Sequence, residues 1–302
     1  MKMIKRIFSL IAVFLLVGAC GNNKDAYQEP TFSVEEMGSS ETNYVFSVHP
    51  LHNPKRLHAI FSPLMEYLSR EIDGVSFVFE ASRNYAAYDE RLYGRMPHFS
   101  LPNPYQTINS LKHGYRVFGK MGDDQNFRGI ILVRKDSGIE KVTDLKGKTI
   151  SYPAPTALAA TMMPQYYLHT HGLDVMKDVR SSYVGSQESS IMNVFFGDVA
   201  AGATWPQPWK ALLKERPELE RELVVKWQTD TLPNNGLVVR DDVPEHVVAK
   251  VATLLFELQH NEQGQAWLKK MELSHFEPAT NDTYSPVKLF IEKFDAEVRP
   301  VK

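Results

Sequence analysis

From Tyr44 onward the chain switches repeatedly between two hydrophobic periods. "YVFSVHP" reads as a strand, followed by the loop "LHNP". In "KRLHAIFSPLMEYLSREI" the apolar residues Leu57, Ile60, Phe61, Leu64, Met65 and Leu68 recur every three or four positions, which predicts an amphipathic helix. "VSFVFEAS" then reads as a strand, "NYAAYDERLYG" as a short helix, and "PHFSLPNPYQ" as a strand ending in a turn. This alternation continues without a tandem repeat and predicts an α/β fold.

Two β-branched runs stand out, "FRGIILVRKD" from Phe127 to Asp136 and "NGLVVRDD" from Asn235 to Asp242. They bracket a long segment that has its own strand and helix series, as the two crossovers of a hinge would. The pattern predicts two lobes with a ligand between them. Residues 44–128 with 238–302 form the first lobe, and 129–237 the second.

The amino terminus obeys a different pattern. "MKMIKRIFSLIAVFLLVGAC" has a basic start at Lys2, Lys5 and Arg6, an apolar run from Ile7 to Val17, and small residues before Cys20. This predicts a signal peptide over 1–19, because the run is shorter than the roughly 20 residues that span a bilayer. "VGAC" resembles the bacterial lipobox, which implies a lipidated Cys20 anchoring an exported protein to a membrane, facing the periplasm or cell exterior. Cys20 is the single cysteine, so an internal disulfide is excluded. Residues 20–43 are polar and aperiodic and read as a flexible tether. With a formal net charge of -2, the chain gives no footprint for nucleic acid.

Candidate chemistry centres on "YPAPTALAATMMP", Tyr152 to Pro164, which reads as a strand running into a helix. Pro155 suits the helix's first turn, Ala157, Ala159 and Ala160 its continuation, and Gly172 its end. Such a turn presents backbone N–H groups to an anionic ligand, yet this one is poor in the usual Gly and Ser. His49 and His52 in "VHPLHNP" read as solvated loop histidines, and no metal site is expected. "GSQES" departs from the G-x-S-x-G elbow, so no enzyme is expected. Arg134-Lys135 and Asp241-Asp242 read as solvated turn residues.

Taken together, "SPLMEYL", "LVRKDSGIEKVTDLKGKTISYPAP", "YVGSQESSIMNVFFGDVAAGAT" and "LVVRDDVP" resemble the phosphate, phosphite and phosphonate binding proteins of ABC importers, over about Tyr44 to Phe294. The resemblance implies a type II periplasmic-binding-protein fold with a two-strand hinge, a small-molecule ligand, an ABC permease as partner, and no cofactor. In that family a hydroxyl-rich segment cradles the phosphonate. Here the corresponding residues are Ala154, Pro155, Thr156, Ala157, Leu158, Ala159, Ala160 and Pro164, so Ala-Leu-Ala stands for the Ser-Thr-Ser core. Gln187 stands for a common histidine and Ala200 for an acid. Tyr85 and Tyr105 correspond to cleft aromatics of the other lobe. Trp205 and Trp209 in "WPQPW" are either cleft walls or packing under a loop. The implied ligand set is Tyr85, Tyr105, Thr156, Ala157, Leu158, Ala159, Gln187 and Trp205. Its lost hydroxyls predict an altered, more apolar or larger ligand. A ligand-presenting accessory of a membrane sensor kinase, or a carrier of an apolar molecule such as a sterol, are the alternative roles.

Overall fold

The computed structural model describes residues 41–301. The signal peptide, Cys20 and the tether up to residue 40 lie outside the described residues. The tether is shorter than expected at its far end, because Thr42 and Asn43 already pair with Val75 and Ser76 in a parallel ladder.

Eleven strands are described: β1 (Thr42–Val48), β2 (Val75–Ala81), β3 (Phe99–Leu101), β4 (Tyr115–Met121), β5 (Arg128–Arg134), β6 (Thr149–Tyr152), β7 (Arg180–Tyr183), β8 (Ala201–Thr204), β9 (Leu223–Thr231), β10 (Gly236–Arg240) and β11 (Phe276–Glu277). They form two sheets, ordered β11-β4-β10-β3-β1-β2 and β7-β6-β8-β5-β9. In the first, β1 runs parallel to β2 and β3, while β10 is antiparallel to β3 and β4. In the second, β6 is parallel to β7 and β8, and β5 is antiparallel to β8 and β9. The α/β expectation is met, with one mixed sheet at the centre of each half.

Among the described residues ten α-helices accompany them: α1 (Pro54–Glu71), α2 (Tyr85–Tyr93), α3 (Pro104–Leu111), α4 (Met163–Thr170), α5 (Gln187–Phe196), α6 (Pro206–Glu215), α7 (Glu218–Glu222), α8 (Glu245–Phe256), α9 (Glu262–Lys270) and α10 (Ser285–Glu297). All six periodic apolar positions of α1 are buried. Burying each such side chain contributes about 1.5–3 kcal/mol, which fixes the helix face toward the first sheet. On β5 the alternation of the strand divides the second half into two cores. Ile131 and Val133 pack with Ile150 and Leu168, while Ile130 and Leu132 pack with Ile191 and Trp209.

The chain passes from the first sheet to the second over residues 122–127 and returns over 232–235. β5 and β10, expected as the crossovers, instead lie wholly within one sheet each, because their backbones are taken up by ladder bonds on both sides. The crossing segments are tied to each other. Asn234 donates through Nδ2 to the Gly122 carbonyl at 2.7 Å and through its backbone N–H to Asp124 Oδ1 at 2.9 Å. The Leu232 N–H reaches the Phe127 carbonyl at 3.1 Å. Lys120, buried at the end of β4, donates to Asp124 at 2.7 Å and pairs with Glu277. Two carboxylates offset the desolvation of its ammonium group.

Candidate functional site

Between the sheets lies a cavity lined by His49, Tyr85 and Asn103 from the first half, Ala157 to Ala160, Gln187 and Trp205 from the second, and Phe127 and Asn235 from the crossing segments. Its volume is about 10 Å³, room for about one water molecule. No Lys, Arg, Asp or Glu is among these residues. A larger open groove of about 440 Å³ sits at Arg134, Lys148, Arg180 and Asp198, but every residue that forms it belongs to the second half. The small cavity, by contrast, is built by both halves together with both crossing segments.

Its second-half wall starts at the end of β6. The N–H of Ala157 turns back to the Ala154 carbonyl at 3.2 Å, so Pro155 and Thr156 belong to a turn before the helix rather than to its first turn. The Thr161 and Met162 N–H groups both bond the Ala157 carbonyl, giving a wide turn over Leu158–Met162 that runs on into α4. No side chain caps this helix start. Among the described residues, the backbone N–H groups of Leu158, Ala159 and Ala160 donate to no protein acceptor. Gly129, in β5, makes the approach to this turn feasible. A Cβ there would stand 2.6 Å from the Ala159 carbonyl oxygen and 2.7 Å from the Pro164 ring.

Trp205 follows β8 and is 2% exposed, its indole edge-on to Phe127 with ring centroids 5.3 Å apart. Trp209, four residues on, packs in the core beside β5 instead. The two readings of "WPQPW" thus apply to one indole each. Gln187 opens α5 and links the walls. It accepts from Thr204 Oγ1 at 2.9 Å and donates through Nε2 to the Tyr85 hydroxyl at 3.2 Å. Burial pushes the Tyr85 phenol well up, so it stays protonated.

The first-half wall corrects the reading of the histidines. His49 is 2% exposed, with Nδ1 3.0 Å from the Leu101 carbonyl. Burial lowers its pKa to about 4. His52 is half-buried as a residue, but its Nε2 is buried without a partner, and burial followed by the charges of Arg56 and His49 lowers its pKa to about 3. His52 borders a second space of about 20 Å³ on the other side of Gln187, beside Arg56 and Glu188. Both lie in the loop between β1 and α1, but neither is solvated there: His49 is tied to the end of β3 at Leu101 and packs edge-on to Tyr85 and Tyr88.

Tyr105 and Thr156 do not line the cavity. Asn103 caps α3 with a complete capping box to Gln106, which starts a helix at Pro104 where a turn was expected. Tyr105 then sits half-buried on that helix, its carbonyl bonded by Asn109. Thr156 gives its carbonyl to Asn103 Nδ2 at 3.1 Å and its hydroxyl faces Asp89. Burial raises Asp89 to about pKa 6, against the opposing bonds from Gln106 and Thr156. Lys135, Asp241 and Asp242 are exposed as expected, whereas Arg134 ends β5 half-buried and bridges Asp136 and Glu222; Asp241 holds Arg95. Sequence reasoning missed His49, Asn103, Phe127, Ala160 and Asn235 as lining residues. The adjacent asparagines between two apolar runs were the available signal for the last.

The chain matches, over residues 46–284, the family described as the periplasmic substrate-binding protein of a phosphonate ABC transporter. The phosphonates-binding periplasmic protein of Escherichia coli (strain K12) is 20% identical over 163 residues, 53% of this chain. That match spans 48% of the curated relative, about half its length. A binding protein of an ABC phosphonate transporter from Pseudomonas aeruginosa superposes with a TM-score of 0.76 at 18% identity, covering 84% of this chain and 88% of the other. A Prochlorococcus marinus (MIT 9301) protein in complex with methylphosphonate gives 0.77 at 18% identity, covering 84% and 99%. The two sheets thus form the two-lobed fold of these proteins.

Proposed function

Because the chain belongs to the periplasmic phosphonate substrate-binding family of ABC transporters, a family of binding proteins rather than enzymes, we propose that it captures a small molecule between its lobes and delivers it to an ABC permease. The observation that carries this reading is a single cavity to which both sheets and both crossing segments contribute. A ligand touching both walls stabilises the closed arrangement by its differential affinity for it. The lobes turn about residues 122–127 and 232–235, and acyl chains on Cys20 hold the body at a membrane. Replacing Cys20 with serine releases the protein from membranes, and retention of a processed mutant would count against the anchor.

The ligand differs from a simple phosphonate. Leu158, Ala159 and Ala160 offer the cavity backbone N–H groups, Ala157, Leu158 and Ala159 bring no hydroxyls, and Gln187 is already committed to Tyr85 and Thr204. Each absent neutral hydrogen bond is worth about 0.5–1.5 kcal/mol and each bond to a charged group roughly 1.5–3. Two or three together lower affinity by one to several powers of ten. At about 10 Å³ the cavity has room for about one water, so a ligand of several heavy atoms enters only when the walls part. Calorimetry with methylphosphonate, phosphite and phosphate decides the point: weak or absent binding is expected, with partial recovery in the double variant Ala157→Ser, Ala159→Ser. Submicromolar binding by the unaltered protein would restore the ordinary oxyanion.

A further inference from the structure

Asn235 is fully buried in the returning crossing segment and lines the cavity. Every other polar atom it owns is placed. Its N–H donates to Asn234 Oδ1 at 2.8 Å, its carbonyl accepts from the Met121 N–H at 2.9 Å, and Nδ2 lies 3.3 Å from the Met121 sulfur. Among the described residues, Oδ1 alone has no partner. A buried carbonyl oxygen without a donor is unfavourable, and such groups in folded proteins call for a reason.

His49 supplies a second acceptor. A carbonyl only accepts, so the Leu101 contact requires the proton on Nδ1 and leaves the Nε2 lone pair bare. The same cavity is also lined by residues that carry donors: the three unpartnered N–H groups of Leu158, Ala159 and Ala160, at the start of a helix that continues to Thr170. The Tyr85 hydroxyl, which accepts from Gln187, still has its own hydrogen to give. The cavity thus combines donors and acceptors with no formal charge.

We infer that the cleft takes a small uncharged molecule that donates an N–H or O–H to Asn235 Oδ1 and accepts from the N–H groups of residues 158–160, and that Asn235 determines this specificity. The inference rests on the binding role proposed above. A fully ionised oxyanion has no hydrogen for Asn235 and meets its lone pairs, whereas a hydrocarbon leaves both ends unpaired.

Propionamide and butanone have the same number of heavy atoms and differ by an NH₂ in place of a CH₃, so they isolate the donor. Titration of the full chain with each is expected to show propionamide binding at least tenfold tighter. In Asn235→Leu, and in the smaller variant Asn235→Ser, that ratio falls to near one. The melting temperature of ligand-free Asn235→Leu stays level or rises, since Oδ1 had no partner to lose. Equal binding of the two probes, failure of propionamide to bind, or a ratio unchanged in both variants would overturn the inference. Scattering separates this from the binding role: closure on methylphosphonate but not on propionamide sinks only the ligand class, and closure on no ligand sinks the binding role itself.

Discussion

The first-half wall of the cavity is built from side chains whose bonds are largely made, His49 to Leu101 and Asn103 to both Gln106 and Thr156. The second-half wall is a wide helical turn in which Leu158, Ala159 and Ala160 present unpartnered backbone N–H groups. Side-chain recognition is erased by substitution, but backbone donors persist as long as the helix start keeps its place. The two walls therefore differ in what mutation can do to them. The first can be altered residue by residue, and the second only by moving the turn.

The harshest way to break the second wall is Trp205→Ala. The indole is 2% exposed and packs on Phe127, so its removal leaves a hole next to a crossing segment. A loss of about 3–5 kcal/mol is expected in chemical denaturation.

Acid acts on the first wall. His49 and His52, with pKa values lowered to about 4 and about 3, stabilise the fold fully above their unfolded value of 6.5, and that contribution is lost as pH falls from there through the folded values. Asp89, raised to about 6 from 3.8, has the opposite sign: its contribution is present below 3.8 and lost as pH rises through 6. Between pH 4 and 6 these three groups give a net difference of one proton, so stability falls by about 1.4 kcal/mol per unit of acidification. Asp89→Asn removes the opposing proton and is expected to double that contribution to the slope. An unchanged slope in the variant would contradict the burial of Asp89.

Cutting the link between the walls is milder. Gln187→Leu strands the Thr204 hydroxyl and frees Tyr85, for an expected loss of about 1–3 kcal/mol in thermal or urea unfolding. The smallest expected effect is a gain. Ala157 occupies the cap position with extended backbone, and a serine there can accept from a free N–H of the turn. Ala157→Ser is expected to stabilise by about 0.5–1 kcal/mol, read as a raised urea midpoint.

The helix face of α1 was legible because its period of 3.6 is imposed by the backbone itself, and all six marked positions are buried. The turn before Leu158 was legible as a helix start but three residues early, since Pro155 fits a tight turn as well as a first helical turn. α3 was missed although Asn103 and Gln106 carry the spacing of a capping box, because Pro104 and Tyr105 read equally well as a turn. The cavity's first wall was the least legible part. What buries His49 is the pairing of β1 with β3, residues 46–48 with 99–101, and no local pattern encodes which distant strand becomes a neighbour. Asn235 was hidden for a related reason, since the insertion of β10 between β3 and β4 is a matter of sheet order.

The edge-on packing of Trp205 against Phe127 also gives the protein an optical reporter. Of its 4 tryptophans, Trp205 alone lines the cavity, while Trp209 packs beside β5 and Trp267 packs on Tyr67 of α1. Parting the lobes would bring water to that indole and shift its emission to longer wavelength. With Trp209, Trp227 and Trp267 replaced by phenylalanine, the remaining fluorescence would follow opening and closing in real time, without a label and before any ligand has been identified.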